Sequence, residues 1–479
     1  MSIIAAPVIL SRLLASGGDR RIAVPPGRNV NVYGASPFPR SVLGYAASTA
    51  NDISAPAFAH LAGVVEAWPA GEALSGEHYG ERLKALRWRL RAALALEAGT
   101  EIAFAPSGTD LEFIALALAK SRGRRPVRNI LLGSDEIGSG CTAAAGGRYF
   151  ADATALNPAV AKGACISGFE HTEVAEVAVR DPAGLARPSG EVTDEIDRLC
   201  SEAVAADHHA LFHVVHGSKT GLVLPDLADI DFLRDRYGPA LTLAVDACQA
   251  RLSNAAIAAY VKRDAIVLLT GSKFIGGPPF SGFALVPGTL SPAASLPPGL
   301  GTVFRRAELP EGWPLCDAFV ADANPGLLLR LEAAVFELER FRRVAPEDCA
   351  RVFSSFGEAV GGLAQRLGVT LVKPSLDSAE LHLGTLATLD LSALAGAPDF
   401  ATAQLWGKVL AARGIRLGQP VRCVRRADGG WAGTLRLSLS MPLIVSLADL
   451  DPLGLAQHFA SDMGRISEVL EAAQRRIAC

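Results

Sequence analysis

Apolar residues run through the middle of the chain in short, uninterrupted blocks: ILL from Ile130, ALFHVV from Ala210, LTLAV from Leu241 and AIVLL from Ala265. Blocks this short, separated by stretches of helical period, fit strands covered on both faces. They predict an α/β unit with a mainly parallel sheet over about 100 to 290. Ligands of such sheets bind beyond the carboxyl ends of the strands, so the polar residues closing each block are the functional candidates. Beyond about residue 320 the pattern changes. NPGLLLRLEAAVFELERFRR reads as a long amphipathic helix, while ELHLGTLATLDLS and GTLRLSLSMPLI read as strands, predicting a smaller α+β domain. The first fifty residues, rich in Gly, Pro and Ser, read as an arm that packs on that domain or on a partner chain. The expected division is 1–50 for the arm, 51–320 for the large domain and 321–479 for the small one.

Composition narrows the classes. The chain has 479 residues, 50% hydrophobic and 20% charged, with a formal net charge of −3. No basic block suits nucleic acid or an anionic membrane, and no apolar stretch has the length of a membrane span. MSIIAAPVIL has no basic residue before Arg12, unlike a signal peptide, which gives a cytoplasmic expectation. The eight cysteines, Cys479 among them, show no paired CxxC spacing, so reduced thiols and no metal site are expected.

Three strand ends carry the chemistry. Ser107-Gly108-Thr109 precedes an apolar helix, and Thr109 to Glu112 fits a capping box, which gathers N–H groups and hydroxyls where a phosphate can bind. AVDACQ ends a strand in Asp246, with Gln249 three residues on; a carboxylate there can keep a heteroaromatic nitrogen protonated. LLTGSK ends the next strand in Lys273, an amine suited to a Schiff base once partly desolvated, with Thr270 and Ser272 as anion-binding hydroxyls. The glycines and prolines that follow, GGPP, read as a tight turn that keeps bulk away from a ligand.

This ordered set resembles the large domain of fold-type I pyridoxal-phosphate (PLP) enzymes, in particular the class V aminotransferase and cysteine desulfurase branch. The resemblance covers most of 100 to 290 and thins out to about 445. It implies that Lys273 anchors PLP, that Asp246 pairs with the ring nitrogen, and that Gln249 and Ser218 (in HGSKTG) lie beside the ring hydroxyl. It implies phosphate contacts from Ser107, Gly108, Thr109, Thr270 and Ser272. Arg436 in TLRLSLS is implied as the partner of a substrate α-carboxylate, with a structural salt bridge as the rival reading. Asn324 in DANPG is implied as a contact across a homodimer. The implied activity is that of an aminotransferase acting on an amino acid or amine. The alternatives are a PLP-dependent lyase, either desulfurase-like or a decarboxylase, and a non-catalytic protein of this fold.

The pattern departs in three places. Ser272 stands where the branch has histidine. GSDEIGSGCTAAAGG, 133 to 147, lacks the histidine or aromatic side chain that many members lay on the ring. Cys423 has the spacing of a desulfurase nucleophile, but Val421 and Arg422 stand where histidines are expected. GSGCTA, 138 to 143, matches a dinucleotide fingerprint only in its letters, with no acid ending a strand about twenty residues later.

Overall fold

The computed structural model describes residues 6–477 except 47, 49–50, 69–73, 124, 134–135, 139, 157–158 and 373–380, so Cys479 lies outside the described residues. Its large sheet runs from edge to edge through Thr100–Ala105, Gly282–Pro287, Ala265–Thr270, Leu241–Asp246, His209–His216, Val127–Leu132 and Thr172–Val177. The last five strands are parallel, and Gly282–Pro287 is antiparallel to both its neighbours. Every residue of Ala265–Thr270 and of His209–His216 is buried. Val267 and Leu269 face one core and Ile266 and Leu268 the other, which is why the strands read as continuous apolar blocks rather than alternating ones. The helix Leu111–Ser121 belongs to the second core.

The C-terminal part carries an antiparallel sheet of Thr370–Leu371, Leu386–Asp390 and Thr434–Ser438. Two expectations need correction here. ELHLGTLATLDLS begins with a 3₁₀ turn, Leu381–Thr385, which sets Thr385 against the fully buried Arg251, and only Leu386–Asp390 is strand. GTLRLSLSMPLI is strand through Ser438 and then the helix Met441–Leu447, where Pro442 fits a helix first turn, whose N–H groups have no helical partner.

The N-terminal segment packs on this C-terminal part, with Leu43–Tyr45 pairing in parallel with Ile415–Leu417. Its helix Ala6–Leu14 lies on the long helix Pro325–Phe341, where Leu10 and Leu14 meet Leu329 and Ala333. Arg330, fully buried on that helix, donates to the carbonyls of Gly17 and Phe280. It thereby fastens both the arm and the loop after Lys273. Among the described residues no helix is long and apolar enough to cross a membrane.

Candidate active site

Parallel strands deliver their carboxyl ends to one edge of the sheet, and a cavity of about 220 Å³ lies there. All the residues assigned from sequence line it except Asn324: Ser107, Gly108, Thr109, Ser218, Asp246, Gln249, Thr270, Ser272, Lys273 and Arg436. Asp246 closes Leu241–Asp246, and its Oδ1 accepts the Cys248 N–H at 3.0 Å, fixing the carboxylate at the strand end. Lys273 follows the end of the next strand. Its carbonyl and that of Ser272 both accept from the Asn51 side-chain amide at 3.0 Å, and Gly276 N–H adds a second bond to the Lys273 carbonyl. The lysine therefore leaves a main chain held on both sides.

Arg436 is 6% exposed and donates to two backbone carbonyls, those of Gln419 at 2.7 Å and Lys219 at 2.9 Å. It forms no salt bridge among the described residues. Burial pushes its pKa down to about 10, because a buried guanidinium lacks water, and the charge of Glu136 only partly offsets that loss. The result is a buried cation on the cavity wall that a carboxylate would stabilise.

The hydroxyls divide into two sets. Ser107 Oγ donates to Asp110 Oδ2 at 2.6 Å, and Thr270 Oγ1 donates to the Cys248 carbonyl at 2.7 Å, so both protons are already used. Ser272 and Thr109 make no side-chain hydrogen bond among the described residues and retain theirs. Gly108 allows the turn to sit against the lysine strand: a Cβ there would lie 2.6 Å from Thr270 Cγ2. The expected capping box does not form. Asp110 is the N-cap without a side-chain cap bond, and Glu112 is buried against the sheet, out of reach of its own helix end.

Sequence reasoning missed several lining residues. Glu136 accepts from Ser218 Oγ at 2.8 Å, from Thr220 Oγ1 and from Arg180 Nε at 2.7 Å, and so fixes the Ser218 loop. Ile137 and Cys141 occupy the stretch expected to supply a ring-facing group. Lys219 is a second lysine on the wall, its pKa lowered by burial and then by Arg436. Arg21 arrives from the N-terminal arm, paired with Asp19 at 2.6 Å and lying over the rings of Phe150 and Phe280. Phe150 packs beside Gly140, which in turn touches Thr109, so this guanidinium sits toward the Ser107–Thr109 turn. Glu136, Ile137 and Lys219 stand within segments the sequence singled out; nothing local marks Arg21.

Two expectations are corrected. Asn324 is 1% exposed; its side chain caps Pro325–Phe341 through Leu327 N–H and donates to the Gly17 carbonyl. A side chain so enclosed has no surface to offer a second subunit. Gly276 (φ +82°) and Gly277 do not serve chiefly to clear space for a ligand. A Cβ on Gly276 would lie 2.4 Å from Pro442 Cδ, and one on Gly277 would lie 2.9 Å from the Gly271 carbonyl oxygen, so close packing demands both glycines. Cys423 is 3% exposed and does not line this cavity; burial pushes its thiol up to about 12. It faces instead a larger cavity of about 1080 Å³ between the 180–189 loop, helix Asn254–Val261 and the C-terminal part. That cavity contains neither Lys273 nor Asp246. Size alone therefore does not locate the chemistry.

The smaller cavity suits a single-ring cofactor bearing an anion. It lies below the roughly 300–1,000 Å³ of drug-sized sites, and it brings together an amine, a strand-end carboxylate, a Gly-Thr turn at a helix N-terminus and an arginine. No protein-family model matches the sequence, and no curated protein does. Solved structures do resemble it. A NifS-like protein superposes with TM-score 0.54 at 15% identity, over 90% of this chain and 99% of that one. A cysteine desulfurase from Thermococcus onnurineus NA1 gives 0.55 at 16%, over 90% and 95%. The cysteine desulfurase CsdA from Escherichia coli gives 0.52 at 15%, over 90% and 94%. A large, mainly parallel sheet followed by a smaller C-terminal part, matched over nine-tenths of the chain, identifies the architecture as the fold-type I fold of PLP-dependent enzymes.

Proposed function

We propose that the protein is a PLP-dependent enzyme acting on an amino acid, and that its reaction is transamination. The observation that carries this is the convergence of Lys273, Asp246, Gln249 and the Gly108–Thr109 turn on one cavity of matching size. Lys273 would hold the cofactor covalently, Asp246 would face its ring nitrogen, and Gln249 and Ser218 its hydroxyl. Gly108, Thr109, Ser272 and Arg21 would hold its phosphate, with Ser107 and Thr270 shaping that end. Bound there, PLP supplies an electron sink for the electron pair left when a bond at the substrate α-carbon breaks. The chain does the rest. Arg436 would orient the substrate by its carboxylate, the Lys273 amine would take the α-proton and return it, and Asp246 would keep a negative charge facing the ring nitrogen. Purified protein mixed with PLP should show a visible absorption band. Borohydride should fix a pyridoxyl group on Lys273, and amino acids should convert the holoprotein to its pyridoxamine form.

An arginine buried with no ion-pair partner among the described residues favours an amino-acid substrate over a simple amine. Arg436→Leu should raise KM for amino acids by about 10²–10³-fold, the scale of losing one partner of a buried charge pair, while a carboxylate-free amine should bind as before. Equal losses for both substrates in steady-state kinetics would remove the assignment.

Desulfuration is the second reading, favoured by the two cysteine desulfurases among the structural neighbours. Cys423 counts against it. Burial pushes its thiol up, which disfavours the thiolate a nucleophile needs, and it lines the larger cavity instead of this one. Cys423→Ala should keep turnover of amino acids within about twofold, the change expected away from the reacting atoms. Sulfide release from cysteine that disappears in this variant would make the protein a desulfurase.

A further inference from the structure

Beneath the cavity lie two titratable side chains to which the mechanism gives no role. Glu112, on the first turn of Leu111–Ser121, and His213, in the middle of His209–His216, are each 2% exposed. Glu112 Oε2 lies 3.4 Å from His213 Nδ1, longer and less directed than a formed hydrogen bond. That oxygen and both imidazole nitrogens have no hydrogen-bond partner. Orphaned polar atoms at such depth are costly, so a structural role alone explains them poorly.

Their position relative to Asp246 is informative. His213 registers with Ala244, and Val215 with Asp246, on neighbouring parallel strands. In strands of period two, His213, Ala244 and Asp246 share the face covered by Leu111–Ser121, with His213 one diagonal step behind Asp246. The acidic and basic groups around the pair are few. Asp246 acts on both from the next strand, and the Cys141 thiol lies close to Glu112. No Lys or Arg forms an ion pair with Glu112 among the described residues. If Glu112 were ionised, two like charges would stand together in a dry interior.

We infer that Glu112 and His213 form a proton-sharing positioning pair behind Asp246: the neutral Glu112 carboxyl donates to His213 Nδ1, leaving Asp246 the sole anion under the ring nitrogen. Burial supports these protonation states: it raises Glu112 well above the carboxylate range and lowers His213 to about 4. The imidazole proton then sits on Nε2, on the strand face it shares with Asp246. No net charge lies beneath the carboxylate, and closure of the 3.4 Å contact satisfies two of the three orphaned atoms, Glu112 Oε2 and His213 Nδ1. The inference rests on the PLP reading for its consequence in catalysis but not for the proton itself.

Two measurements test it. Infrared spectra of the cofactor-free protein should show a protonated-carboxyl stretch that persists from pH 5 to 9 and disappears in Glu112→Gln; absence of that band in the wild type overturns the inference, whatever the cofactor. In the holoprotein, Glu112→Gln still offers an N–H to His213 and should keep kcat within about twofold. Glu112→Leu, of similar volume, should lower kcat about tenfold with little change in KM and move the ¹⁵N resonance of the ring nitrogen. Equal damage from Gln and Leu would mean that Glu112 is ionised, and wild-type behaviour from both would mean that the pair has no positioning role. A protein that shows the infrared band but never forms a PLP adduct keeps the proton pair and sinks the cofactor reading instead.

Discussion

Lys273→Ala is expected to abolish turnover of amino acids, lowering kcat by at least about 10⁴-fold, because one amine is both the covalent anchor and the base at the α-carbon. Cofactor should still enter, held by the Gly108–Thr109 turn and Arg21, but borohydride should no longer fix it to the protein. The structure makes the experiment sharp in two ways. The backbone around Lys273 is tied by Asn51 to the carbonyls of Ser272 and Lys273, by Gly271 N–H to the Ser281 carbonyl and by Gly277 N–H to the Gly271 carbonyl. Removing the side chain should therefore leave the cavity intact, which near-unchanged thermal unfolding would verify. The cavity also holds a second lysine, Lys219, whose amine is partly desolvated. Peptide mapping of the reduced wild-type adduct must find the label on Lys273. A label on Lys219 would sink the assignment and transfer the anchor to the HGSKTG loop.

Those residues were legible in the sequence because a buried parallel strand leaves an unmistakable apolar block, and whatever polar residue ends it must lie at the ligand edge. That rule put Asp246 and Lys273 at the ligand edge, their spacing by one strand–helix–strand step suits the neighbouring strands on which they lie, and their roles came from the ordered set and its resemblance. What was not legible depends on long-range contact. Arg21 belongs to an arm whose Gly17 carbonyl is held by Asn324 and Arg330, some three hundred residues later; in sequence it was one arginine in a Gly- and Pro-rich arm. Asn324 was assigned by analogy to a second subunit, whereas a local rule, Asn before Pro at a helix start, already described it. Glu112 fitted a capping box by spacing alone. Burial of that helix on nearly every side turned it toward His213, because a helix lying between the sheet and the 290–319 segment has no solvent face on which a carboxylate can cap. In the C-terminal part, alternation marked the strands but not where they stop, since Pro442 can begin a helix as readily as it can end a strand.

Asp246→Asn separates holding the cofactor from activating it. An asparagine can keep the contact to Cys248 N–H through its side-chain oxygen, so the strand end should retain its shape and Lys273 its position. What is lost is the charge. Without an anion to hold a proton on the ring nitrogen, the electron pair left at the α-carbon has a weaker sink, and its formation should slow by about 10²–10³-fold, the scale of one preorganised electrostatic contact. The borohydride adduct on Lys273 should persist, while exchange of the substrate α-proton with deuterated solvent, followed by proton NMR, should fall by that factor. Because the step that fails is proton removal, KM for the amino acid, set largely by Arg436, should change little. If α-proton exchange survived in Asp246→Asn at the wild-type rate, Asp246 would be a turn-forming residue with no part in the chemistry. The neutral pair inferred behind it would then have no charge to protect. A loss of exchange with adduct and KM preserved would instead tie the strand-end carboxylate, and the buried proton beneath it, to the bond that breaks at the α-carbon.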